Sequence, residues 1–105
     1  MILEVRTYTM NVGKTAIWLE HFQKSGLPIQ DKYLGKLVGF FTSETGTLNQ
    51  VVHMRQYESF ADRERRRGEM MKDPAWMEFL KSEPPGLVAT QQTQILRPTA
   101  FSPLR

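Results

Sequence analysis

Lys36-Leu-Val-Gly-Phe-Phe-Thr-Ser43, then Glu44-Thr-Gly-Thr47, then Gln50-Val-Val-His-Met-Arg-Gln-Tyr57: two runs with strand character flank a segment of turn chemistry, and together they predict a β-hairpin. The second run has an unusual face. Side chains alternate across a strand, so Val51, His53, Arg55 and Tyr57 point one way. Val52 and Met54 point the other way with Gln50 and Gln56. A row holding a histidine, an arginine and a tyrosine lines either a solvated face or a site.

Upstream of the hairpin, residues 2–9 alternate with period two and predict a first strand. Leu3, Val5 and Thr7 share one face; Glu4, Arg6 and Tyr8 share the other with Ile2. After a turn at Asn11-Val-Gly13, a helix is expected from about Lys14 to Ser25, with Trp18, Leu19 and Phe22 as its apolar stripe. Gly26-Leu-Pro28 ends or bends it, and Ile29, Tyr33 and Leu34 keep helical spacing for a further turn. Downstream, a second helix is expected over Ser59 to Lys72, with Ser59 and Asp62 in a capping arrangement. Asp73-Pro74 restarts a short helix with Trp76, Phe79 and Leu80 on its apolar side. Pro84-Pro85-Gly86 breaks the chain before a last strand over residues 89–97.

The order β-α-β-β-α-β is the signature of the split βαβ, ferredoxin-like α+β fold. It predicts one domain over residues 1–98, a peripheral tail over 99–105, and a four-stranded antiparallel sheet in the order 4-1-3-2 with both helices on one face. The chain has 105 residues, enough for one domain but with a modest core. The uncovered sheet face is therefore expected to be polar or to meet a second copy.

Composition removes several function classes. The chain contains no cysteine, which excludes disulfides, a thiol nucleophile and thiolate metal sites. No apolar run approaches the roughly 20 residues of a membrane span, and the N-terminus enters a strand pattern directly, so a soluble, cytoplasmic protein without membrane association is expected. The net charge of +3 is mild. The run Arg63-Glu-Arg-Arg-Arg67 is interrupted by acids and lacks interleaved aromatics, so it reads as a solvated helix face rather than a nucleic-acid site. Gly13-Lys14-Thr15 lacks the first glycine of a phosphate-binding loop, Tyr8 standing at that position. His21 and His53 have no neighbours at metal-ligand spacing, so no metal is expected.

The first and third strands are neighbours in the expected sheet. If their polar faces coincide, Glu4, Arg6, Tyr8, His53, Arg55 and Tyr57 cluster, and Glu4 is expected to pair with Arg55 or Arg6. Two readings stand open for that cluster. One is a lined pocket in which His53, the only side chain there that titrates near neutral pH when unperturbed, acts as acid or base. The other, the more economical, is a polar face satisfied across a dimer interface. Trp18, Trp76, Phe22, Phe40 and Phe41 form either plain core or the wall of an apolar pocket.

Leu34-Gly-Lys-Leu-Val-Gly-Phe-Phe-Thr42, Gly46-Thr-Leu-Asn-Gln-Val-Val-His53, Tyr57 and Ser59-Phe-Ala-Asp-Arg-Glu-Arg-Arg-Arg67 resemble the NIPSNAP family in order and spacing, as do Glu4-Val-Arg-Thr-Tyr8, Gly13-Lys14 and Asp73-Pro74-x-Trp76. The resemblance covers about residues 2–97. It implies a dimeric α+β barrel in which two ferredoxin-like sheets pack face to face. That superfamily includes cofactor-free monooxygenases, haem-degrading enzymes and isomerases, while the NIPSNAP family has no settled activity. Arg55 departs from the family, where an aromatic residue often stands two places after the strand histidine; an arginine there requires a carboxylate, a carbonyl or solvent. The resulting expectation is a homodimer or higher oligomer that binds a small, partly apolar molecule between sheet and helices, without a cofactor. His53 and Tyr8 are its catalytic candidates. Arg6, Arg55, Tyr57, Trp18, Phe22, Phe40 and Trp76 are the ligand-binding candidates. The alternatives are a cofactor-free monooxygenase or isomerase using His53, and a non-catalytic interaction protein.

Overall fold

The computed structural model describes residues 1–105. Strand β1 spans Ile2–Met10, β2 Lys36–Thr42, β3 Gln50–Tyr57 and β4 Val88–Leu96. They form one antiparallel sheet in the order β2-β3-β1-β4, which is the expected order read from its other edge. Between β1 and β2 lie helix α1, Thr15–His21, a π-helical turn over Phe22–Gly26, and helix α2, Leu27–Tyr33. Helices α3, Phe60–Lys72, and α4, Pro74–Ser82, precede β4.

The α1–α2 run decides between the two alternatives for Gly26-Leu-Pro28: the segment does not end the helix, and the helical path continues through it. Pro28 lies in the first turn of α2, where its missing N–H is tolerated, and the wide turn before it relieves the clash a proline ring makes in a regular helix. Gly26 is needed for a different reason. A Cβ there would stand 2.5 Å from the Phe79 ring, so the π turn could not approach α4 as closely with any other residue. Ser59 caps α3 by accepting from the Asp62 N–H at 3.0 Å, and Asp73 caps α4 by accepting from the Ala75 N–H at 2.9 Å. The Asp73 carboxylate also accepts from the Tyr33 hydroxyl at 2.7 Å, tying α2 to the α3–α4 junction.

The pairing Glu4↔Arg55, Arg6↔His53 and Ile2↔Tyr57 puts the polar faces of β1 and β3 on the same side of the sheet. That side is the covered one. Trp18 of α1 meets Tyr8 edge-on with ring centroids 5.5 Å apart, Asp31 of α2 bonds Arg55, Arg63 of α3 bonds Glu4, and Phe79 of α4 packs on Phe22. The interface reading of the His53 row is thereby overturned: the chain's own helices cover it. The side that looks apolar in sequence, with Leu3, Val5, Val52 and Met54, faces away from the helices. Phe41 shares that outer side as the partner of Val52 and is 55% exposed, so it takes no part in an aromatic pocket. With extents of 41 × 37 × 19 Å, the molecule is one sheet and one helical layer thick.

Candidate functional site

Between sheet and helices lies a partly open cavity of about 200 Å³. Its floor is the polar row of β1 and β3: Glu4, Arg6, Tyr8, His53 and Arg55. Its aromatic wall is Trp18, Phe22, Trp76 and Phe79. Arg67, Met71, Leu80 and Glu83 bring α3 and the end of α4 to its rim, and Gln30 and Gln91 add amide groups.

Burying this many charges requires that they be paired. Glu4, 2% exposed, accepts from Arg63 Nε at 3.0 Å and Arg63 Nη2 at 2.6 Å; Arg6 Nη1 stands 3.6 Å away. Arg55, 4% exposed, donates to the Gly35 carbonyl at 2.9 Å and to Asp31 Oδ1 at 2.8 Å. The expected Glu4–Arg6 pair is present, although the main partner of Glu4 is Arg63. The expected Glu4–Arg55 pair is absent even though the two residues are opposite in register, because each carries a shorter bond to a helix or its flanking loop. Gly35 lies close against β3: a Cβ there would fall 1.9 Å from the Gln56 carbonyl oxygen, and this approach brings the Gly35 carbonyl to Arg55.

His53 is 2% exposed. Its ring stacks on Phe40 at 4.6 Å and receives the edge of Tyr8 at 5.1 Å. Its Nε2 is buried without a hydrogen-bond partner. Burial, followed by the Arg6 and Arg55 charges, pushes its pKa from the ordinary 6.5 down to about 3. The histidine is therefore neutral throughout the physiological range, contrary to its expected titration near pH 7. Tyr8 accepts from Arg6 Nε at 3.1 Å, which leaves its own O–H proton free to donate.

The candidates thus fall in three places. His53, Tyr8, Arg6, Arg55, Trp18, Phe22 and Trp76 all line the cavity. Phe40 stands behind His53 as its stacking partner. Tyr57 is buried next to the site, its hydroxyl turned towards the Gly35 backbone without completing a hydrogen bond, and burial raises its pKa. Sequence reasoning missed Arg63 and Arg67 by assigning the whole run 63–67 to solvent. Arg63, Arg67, Met70 and Met71 recur at i, i+4, i+7 and i+8, which marks the inner face of α3. Among the arginines of the run, only Arg65 fits the expected solvated face well, 65% exposed and paired with Asp62 on the surface.

The NIPSNAP family model matches residues 3–103. The chain belongs to the NIPSNAP family. The NipSnap homolog of Dictyostelium discoideum is 35% identical over 95 residues, covering 90% of this chain and 42% of that protein. The human NipSnap homolog 3A is 32% identical over 99% of this chain and again 42% of its own length. The chain thus spans less than half the length of these relatives. Among solved structures, a NIPSNAP family protein of Agrobacterium tumefaciens is 39% identical with a TM-score of 0.92, covering 99% of this chain and 98% of that one. A putative antibiotic biosynthesis monooxygenase of Nitrosomonas europaea, at 9% identity and a TM-score of 0.65 over 93% of this chain and 98% of that one, shares the NIPSNAP fold. The family has no assigned activity. No helix of this NIPSNAP domain is long and apolar enough to cross a membrane.

Proposed function

We propose that this NIPSNAP domain is a homodimer that binds a small, partly apolar molecule in the cavity between sheet and helices. The observation that carries the ligand reading is a cavity of about 200 Å³ with aromatic walls and a floor of paired, buried polar groups, the composition typical of small-molecule sites. Ligand-observed NMR with a library of ring-bearing fragments tests it. Fragments that bind the wild type should compete for one site, and Met71→Trp, which enlarges a half-exposed residue at the rim, should weaken them at least about tenfold, a loss of about 1.4 kcal/mol. Absence of binding, or binding indifferent to Met71→Trp, contradicts the reading and favours a non-catalytic interaction protein.

The dimer is supported by the outer sheet face, where Val5, Val52 and Met54 turn away from the helices beside the exposed Phe41, with Leu3 and Leu96 next to the tail residues Pro98, Ser102 and Leu104. An apolar face of this kind marks an association surface, and two copies related by a two-fold axis would close it. Sedimentation at micromolar concentration should give a dimer, and Met54→Glu should give a folded monomer. A monomeric wild type contradicts it.

A catalytic reading, with cofactor-free monooxygenase or isomerase chemistry, is favoured by one arrangement: the unprotonated His53 imidazole lies beside the Arg6–Tyr8 couple. A base next to two hydrogen-bond donors suits proton abstraction with the developing oxyanion held by Tyr8. An imidazole of such low pKa is a weak base, so this role suits only a substrate with an acidic proton.

A further inference from the structure

One charged group on the cavity rim is left unpaired, and it specifies the ligand. Glu4 Oε2 takes every contact from Arg63 and Arg6, while Oε1 has no hydrogen-bond partner. Arg55 has Asp31 and the Gly35 carbonyl for its terminal nitrogens, yet its Nε is buried without a partner, as is Trp76 Nε1. Both are donors only. The Tyr8 proton is free because its oxygen accepts from Arg6. Arg67, half-buried on the rim, makes no ion pair with any carboxylate of the chain, including Glu83 on the same rim. Arg67 is thus the one arginine of the lining without a side-chain partner; against it stand Glu83, which opposes an anion on its side of the rim, and the free Oε1 of Glu4. A neutral apolar ligand would leave Arg67 uncompensated, whereas an anion pairs it.

Resting on the cavity being a ligand site, we propose that its ligand class is the small carboxylic acid, bound as its anion, with the carboxylate taken by the Arg67 guanidinium and the apolar body set among Trp18, Phe22 and Trp76. Arg6 and the Tyr8 hydroxyl are the further donors on the floor. Size agrees: an apolar cavity of about 150 Å³ holds one benzene ring, so about 200 Å³ admits a single ring bearing a carboxylate. The Arg67 guanidinium suits this role because its planar fork matches a carboxylate with two parallel hydrogen bonds.

Isothermal titration at pH 7 with benzoate, phenylacetate and cyclohexanecarboxylate, each against its neutral carboxamide, tests the class. At least one acid should bind ten times or more tighter than its amide. Arg67→Gln should remove that preference while leaving the melting temperature within a few degrees, since Arg67 holds no other residue. Amides binding as well as the acids, or a preference that survives Arg67→Gln, overturn the carboxylate assignment and leave the ligand site standing. Failure of all six to bind, together with no fragment binding in the NMR screen, overturns the ligand site itself; failure of the six alone while fragments bind overturns only the carboxylate class.

Discussion

Arg63→Met is expected to destabilise the fold by about 3–5 kcal/mol, the cost of leaving one member of a buried ion pair alone. Glu4 is 2% exposed and receives two of its bonds from Arg63, itself with a side chain only 12% exposed. Without Arg63, the carboxylate keeps only Arg6 at 3.6 Å and loses both of its short hydrogen bonds. The pair joins the start of the sheet to a helix 59 residues later, so the loss should be global rather than a fraying of α3. The double variant Glu4→Leu/Arg63→Met should recover much of the loss, because an apolar pair leaves no charge uncompensated. As a control, Arg65→Met breaks only a surface pair and should stay within about 0.5 kcal/mol. Urea denaturation at pH 7 of the four proteins measures all of this; a single Arg63→Met variant within about 1 kcal/mol of wild type would contradict a buried electrostatic link.

Acidification should expose the second large effect. The folded pKa of His53 is about 3 against 6.5 ordinarily, so between those values the unfolded chain takes up a proton that the folded chain refuses. Stability from this group is complete above about pH 6.5 and falls with decreasing pH by about 1.4 kcal/mol per unit until about pH 3. From pH 7 to pH 5 the loss is about 2 kcal/mol, in a range where the carboxylates of an unfolded chain are still mostly ionised. His53→Phe keeps a ring against Phe40 and Tyr8 and removes the proton, so its stability should be nearly flat over that interval. Equal acid losses in wild type and variant would show that the imidazole is not held neutral by the site.

Much of this architecture is legible in the sequence because local rules agree there. The alternation of Gln50–Tyr57 and the turn residues before it set the limits of β3 to the residue, and the βαββαβ order sets the sheet topology. The coincidence of Glu4, Arg6 and Tyr8 with His53 and Arg55 follows from that topology. The choice of covered face does not, because apolarity points the wrong way. Leu3, Val5, Val52 and Met54 look like core, yet they face outwards, while the charged row lies under the helices. That inversion is stable only because Asp31 and Arg63, distant in sequence, supply the compensating charges. The same non-local pairing hides Arg63 and Arg67: as a run of arginines they look solvated, and only their recurrence with Met70 and Met71 at helical spacing shows that α3 turns them inwards. The continuity of α1 into α2 was obscured for a local reason, since Pro28 ordinarily marks a helix boundary and here follows a π turn.

The most direct test of the central claim, that the His53 row is the floor of a ligand site, is a crystal structure with the tightest-binding carboxylate probe. The ring should lie between Trp18, Phe22 and Trp76, with the carboxylate on Arg67. A probe seated only on the outer sheet face, against Val52 and Met54, with the cavity under the helices holding none, would contradict it.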